Sequence, residues 1–251
     1  MLLSAHQIRD SDTVGGLFVL GHSHSTSGAL AWAAAAAWIP VSVWPSHLAL
    51  KDVVLGTFVT AGAALLPDLD HPDGTIAHFL GPVSHAFCRF VEWISGGHRH
   101  ATHSFFFVAL TTAGTWAGAH YLKRPFTLAL VYILLSLAIR ALHLCPPGKG
   151  IQSWGVVMLL AVAGTGAMAL WIGTDPFWLP IAVGLGTLTH LAGDCVTKEG
   201  CPLFWPIKAR LGIPLIRHTG EKLETAVLTP LMAIGAVVAL YYASIPLRHV
   251  K

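Results

Sequence analysis

The chain has 251 residues, of which 54% are hydrophobic and 11% charged, with a net charge of +3. Soluble domains carry about 25% charged residues, so a chain with these proportions and a mean hydropathy of +0.65 cannot cover a water-facing surface and needs lipid around part of it. The small basic excess gives no basis for direct nucleic-acid binding and suits a membrane protein that keeps Lys and Arg in cytoplasmic loops.

Arg9, Asp10 and Asp12 interrupt the N-terminal stretch, which is not expected to be a signal peptide. Apolar segments follow at 25–44, 48–66, 104–122, 126–144, 154–172, 177–193 and 225–245. Most approach the roughly 20 residues that cross a bilayer; the second and sixth are short enough to be interfacial. Small residues such as Gly62 to Ala64 suit close helix contact. Trp32 and Trp38 flank an Ala run, as interfacial aromatics do. The fold predicted is an all-α, polytopic membrane helical bundle, one domain over 1–251, with about seven apolar helices, five to seven of them spanning. Cys88, Cys145, Cys195 and Cys201 form no C-x-x-C pair and read as buried thiols.

Alternation of the segments places 1–24, 67–103, 145–153 and 194–224 on one face. That face collects every acidic residue except Asp52 and Asp175. It also collects most of the Lys and Arg, which predicts that it is cytoplasmic in a multi-pass plasma-membrane (inner-membrane) protein.

The 15 histidines equal Lys plus Arg in number and exceed the 12 acidic residues, and histidine is a common metal ligand and proton carrier. Three blocks at the predicted face carry five of them, beside acidic residues. Pro67-Asp68-Leu69-Asp70-His71-Pro72 ends the second segment, and its carboxylates and imidazole suit Zn²⁺, Mn²⁺ or Fe²⁺; a Pro/Asp turn is the plain alternative. Gly97-His98-Arg99-His100-Ala101-Thr102-His103-Ser104 puts three histidines within six residues; if helical, His100 and His103 share a face and His98 does not. Thr102 or Ser104 could instead serve as a helix cap. His190 and Asp194 stand at i, i+4 near the end of the sixth segment and point the same way. Gly21-His22-Ser23-His24 and His218-Thr219-Gly220-Glu221 with Glu224 are weaker sites; His22 is the favoured member.

These blocks, in order, resemble the membrane-bound metal-dependent hydrolase family typified by the LexA-regulated inner-membrane protein YdjM. Its Gly-His resembles Gly21-His22, its L-P-D-x-D-H-P matches Leu66 to Pro72, its G-H-R-G-x-T-H-S resembles Gly97 to Ser104, and its H-x-x-x-D block with a following P-L-x-W-P resembles Thr189 to Pro206. His100 departs by standing where the family usually has Gly. The family is distantly similar to zinc-dependent phospholipase C and single-strand nucleases, whose N-terminal Trp ligand has no counterpart here. The resemblance implies phosphoester hydrolysis and LexA-linked regulation in a stress (SOS) response.

The resulting expectation is a hydrolase with two or more divalent ions, Zn before Mn or Fe, working on a small-molecule or lipid phosphoester at the membrane surface. Asp68, His71, His103, His190 and Asp194 are the expected core ligands and His22 a further one. Asp70 is a bridging ligand or base, Arg99 a phosphate partner, and His100 an extra ligand or donor. A di-iron membrane oxygenase and a metal transporter or sensor are the competing readings; transport sites lie near the bilayer midplane.

Overall fold

The computed structural model describes residues 9–44, 48–78, 82–147, 151–173, 176–213, 215 and 223–248. They form α1 (Arg9–Trp38), α2 (Leu50–Ala63), α3 (Pro82–Ser95), α4 (Phe105–Ala117), α5 (Lys123–Ala141), α6 (Ile151–Trp171), α7 (Leu179–Cys195) and α8 (Thr229–Arg248). Single 3-10 turns at Leu66–Asp70 and Ala101–His103 matter for the site. An isolated extended bridge joins Cys201 with Leu211. The helical bundle expected from the apolar segments is the fold observed.

Four stretches are long and apolar enough to cross a membrane: Leu50–Asp70, Phe105–Ala141, Gln152–Trp171 and Glu224–Ile245. The second is a hairpin. At Lys123 the backbone turns (φ 53°, ψ −137°), and the Phe126 ring lies where a Cβ on Gly118 would meet it at 2.3 Å. Its two outer ends return to one face. Phe105 follows directly on the His103 turn, and the Ala141 carbonyl accepts a hydrogen bond from His22 Nδ1 in α1 at 2.8 Å.

Helix α2 is the centre of the bundle, packed against α1, α5 and α7. Close approach explains its small residues: a Cβ on Gly62 would lie 2.0 Å from the Leu134 carbonyl oxygen in α5, and one on Gly186 of α7 would lie 2.5 Å from that of Thr60. At the far face, Asp52 accepts from Ala49 N–H (2.8 Å) and from Trp178 Nε1 (3.0 Å), which caps α2 and ties it to the start of α7. Trp32 is fully buried and donates to the Val53 carbonyl at 3.1 Å. It is a core residue, in contrast to the interfacial place expected for it; Trp38 is exposed.

Two elements differ from expectation. Helix α1 begins at Arg9 rather than near 25. Its polar stretch stays helical because the hydroxyls bond within the bundle: Thr26 to the His22 carbonyl (2.8 Å), Ser27 to that of His24 (2.8 Å), and Ser23 with Thr229 of α8 (3.0 Å). Helix α3 was not expected, because its apolar side chains are interleaved with His85, Arg89 and Glu92 and form no continuous run.

Candidate metal centre

The site is assembled at one end of the bundle from four chain segments. The turn Leu66–Asp70 closes α2 and carries Asp68 and Asp70. Helix α7 presents His190 and Asp194 from adjacent turns of one face. Helix α1 supplies His24, whose ring stacks on His190 with centroids 3.9 Å apart. The fourth segment follows α3, which ends at Gly96 and Gly97 with φ of +90° and +111°. Such angles favour glycine, and the Gly97 N–H bonds the Glu92 carbonyl at 2.9 Å in a Schellman-type stop. Arg99 is also left-handed (φ +57°). The segment is therefore a turn rather than a helix, and His98 and His103, not His100 and His103, converge. Ser104 then caps α4, accepting from Phe107 N–H at 3.3 Å.

Seven side chains fall into two adjoining groups that could hold a metal ion: Asp68, Asp70, His98 and His103, and His24, His190 and Asp194. They join where the Nε2 atoms of His103 and His190 lie 3.3 Å apart. Around that contact, Asp68 Oδ1 is 3.8 Å from His103 Nε2 and 3.6 Å from His190 Nε2. Asp194 Oδ2 is 3.2 Å and 3.6 Å from the same two atoms. A four-coordinate ion with ligand bonds near 2.0–2.2 Å sets its ligands about 3.3–3.6 Å apart. Five of the six separations among these four atoms are thus close to those of a cage around one ion.

Hydrogen bonding orients the donors. His190 Nδ1 lies 2.6 Å from the Ala64 carbonyl, which can only accept, so Nδ1 carries the proton and Nε2 offers its lone pair to the cage. Thr102 donates its hydroxyl proton to Asp70 Oδ2, so that hydroxyl accepts from His103 Nδ1 at 3.0 Å, with Asp70 Oδ2 itself at 3.4 Å. His103 Nε2 is turned into the cage in the same way. Two imidazole lone pairs and two carboxylate oxygens facing each other in a buried space favour a cation among them. A divalent ion would offset carboxylate charge there, and a proton partly substitutes for it when no ion is bound. Burial disfavours the charged form of His103, but hydrogen bonds and charge from Asp194 and Asp70 outweigh it and raise its pKa to about 9.

Asp70 and Arg99 hold this arrangement from behind. Asp70, fully buried, accepts from His98 Nδ1 (2.9 Å), Arg99 N–H (3.0 Å) and Thr102. Arg99 reaches across to Asp194 Oδ1 (2.8 Å), Thr197 Oγ1 (3.1 Å) and Glu199 Oε2 (3.1 Å). With Arg99 on Oδ1, Asp194 keeps Oδ2 toward the two histidines.

Of the residues expected at the site, Asp68, Asp70, Arg99, His103, His190 and Asp194 are brought together. His22 stands outside, bonded to Ala141 and against the ring of His143, 4.7 Å between centroids. His71 flanks the centre, its ring 4.5 Å from that of His98 and its Nδ1 accepting from Asp73 N–H at 3.2 Å. His100 is exposed, with Nδ1 bonded to the His98 carbonyl at 3.0 Å. His24 and His98 had no assigned role in the sequence and are both in the groups. Residues 218–221 lie outside the described residues.

The model of the YdjM inner membrane protein family matches residues 19–145 and 153–250. The chain belongs to that family. No curated protein and no solved structure matches it. All seven side chains of the two groups fall within the stretches matched to the YdjM family. An inner-membrane family name agrees with the four membrane-competent stretches.

Proposed function

We propose that the protein is a membrane-bound, zinc-dependent hydrolase of phosphoesters. The observation that supports this best is the cage of Asp68, His103, His190 and Asp194, with edges of 3.2–3.8 Å. Mixed imidazole and carboxylate donors in fourfold array suit zinc better than ions that prefer six oxygens. When bound, the ion supplies Lewis acidity that activates water and offsets charge on a phosphoryl oxygen. The chain's own residues do the rest. Ala64 and Thr102 fix the tautomers of His190 and His103, Asp70 supports His103, and Arg99 holds Asp194 in place. Of the two or more ions expected, the cage accounts for one. An ion at Asp70 and His98 would have to displace the 2.9 Å hydrogen bond between them. The ligands gather at helix ends rather than at mid-helix, which weighs against a transport site. The excess of Lys and Arg in the same loops supports a cytoplasmic placement of this face.

The test is hydrolysis of a soluble phosphodiester such as bis(p-nitrophenyl) phosphate by detergent-purified, zinc-loaded protein. Turnover is expected in the wild type and a loss of at least a hundredfold in a His190→Ala, Asp194→Ala variant. Equal turnover in both, or none in the wild type with zinc bound, contradicts the assignment.

A further inference from the structure

Helix α3 has 14 residues, and at 1.5 Å per residue it covers about 21 Å, too little to cross roughly 30 Å of hydrocarbon. Its side chains sort into three stripes. Cys88, Val91 and Ser95 are buried, on the side where α3 packs against the turns Leu66–Asp70 and Ile76–His78. His85, Arg89 and Glu92, spaced four and three apart, form a polar stripe. Val83, Phe87, Phe90 and Ile94, spaced four, three and four apart, form an apolar stripe that is 53–70% exposed. A helix with one flank on protein, one polar and one bearing large apolar groups matches an element lying in a membrane interface.

A second exposed apolar patch lies where α4 follows the His103 turn. Phe204 packs on Phe105 (5.5 Å between ring centroids) and Trp205 on Phe106 (5.6 Å), and all four are exposed. Phe105 and Phe106 open the stretch Phe105–Ala141, which is long and apolar enough to cross the membrane. The patch therefore continues the lipid-facing side of that stretch. Exposed apolar surface of this extent marks a contact with lipid or a partner, and continuity with a spanning hairpin selects lipid.

We infer that α3 and the Phe204–Trp205 loop are seated in the interfacial layer of the protein's own membrane, and that the centre beside them acts on the phosphodiester of phospholipid headgroups in that leaflet. The placement follows from how α3 is tied to the site. It packs on the turn carrying Asp68 and Asp70 and leads through Gly96-Gly97 into His98, Arg99 and His103. The depth of α3 thus sets the depth of the ligands. The substrate part of the inference rests on the hydrolase reading; the placement of α3 does not.

Two measurements separate these parts. The full chain is reconstituted in vesicles of phosphatidylethanolamine and phosphatidylglycerol, with the photo-crosslinker p-benzoylphenylalanine at position 90 or, as a control, at position 89. Phospholipid adducts at 90 and at least fivefold fewer at 89 are expected. Equal adduct yields at the two positions, or a crosslink from 90 to a second copy of the chain, overturn the placement. In the second measurement, zinc-loaded wild type and a Phe87→Glu, Phe90→Glu variant are compared on vesicle phospholipid and on bis(p-nitrophenyl) phosphate. The ratio of lipid to soluble turnover is expected to fall at least tenfold in the variant. An unchanged ratio overturns the lipid substrate. Absence of turnover on both substrates removes the hydrolase reading and the substrate clause with it, while the crosslinks still decide the seat of α3.

Discussion

Replacing Asp70 by Asn isolates the support of a ligand from the ligand itself. Asp70 is fully buried and accepts from Arg99 N–H, Thr102 and His98 Nδ1. An Asn at this position can keep its oxygen on Arg99 and Thr102 and turn its NH₂ toward His98, whose Nδ1 accepts in the other neutral tautomer. The turn is preserved and the negative charge behind His103 is lost. Removing such a supporting carboxylate costs about 10–100-fold in metal affinity, or about 1.4–2.7 kcal/mol. Protons complicate the reading. In the metal-free protein His103 has a pKa of about 9, so at pH 7 an entering ion must expel a proton held by all but roughly one molecule in a hundred. Asp70 helps to hold that proton too, so the variant escapes part of this competition at pH 7. Competition against a chelating zinc indicator in detergent should therefore show the full 10–100-fold loss near pH 9.5 and a smaller one at pH 7. Equal affinities for wild type and variant at pH 9.5 would refute the role given to Asp70.

The raised pKa of His103 also predicts a pH dependence of stability. Protonation of His103 stabilises the metal-free fold; that contribution is fully present below its ordinary pKa of 6.5 and is lost as pH rises through about 9. The melting temperature of metal-free protein should fall across that window, and that of zinc-loaded protein should not follow it. Arg99→Ala leaves Asp194 without its 2.8 Å partner in a buried site; a loss of about 3–5 kcal/mol is expected, read as a lower melting temperature in detergent, with Arg99→Lys intermediate. Gly62→Ala places a methyl 2.0 Å from the Leu134 carbonyl oxygen, forcing α2 from α5 at a cost of about 1–3 kcal/mol; a melting temperature equal to wild type would show that the helices are not in this contact.

The bundle was legible because its apolar runs are long and lipid leaves helices as the open-chain solution to backbone hydrogen bonding. The pair His190 and Asp194 was legible for a local reason, since four residues along any helix bring side chains to one face. The choice between His98 and His100 was not local. It turns on the left-handed backbone at Gly97 and Arg99, which a helical reading of the segment overlooks. His22 and His24 show a similar limit. Two positions apart on a helix differ by about 200° in direction, so only one could face the centre. Which one depends on how α1 packs against α7, seen in the stacking of His24 on His190, 166 positions away in the chain. Helix α3 escaped notice because a helix that serves protein, lipid and water at once has no apolar run of the usual kind.

The claim on which the rest depends is that Asp68, His103, His190 and Asp194 hold a divalent ion. Metal analysis by mass spectrometry of detergent-purified protein, after removal of loosely bound ions, tests it most directly. At least one zinc per chain is expected in the wild type, and less than about a tenth of that in the His190→Ala, Asp194→Ala variant, given that losing two of four ligands leaves no closed site. Wild type purified without stoichiometric metal that also fails to take up zinc, or a variant that retains the wild-type content, would contradict the account.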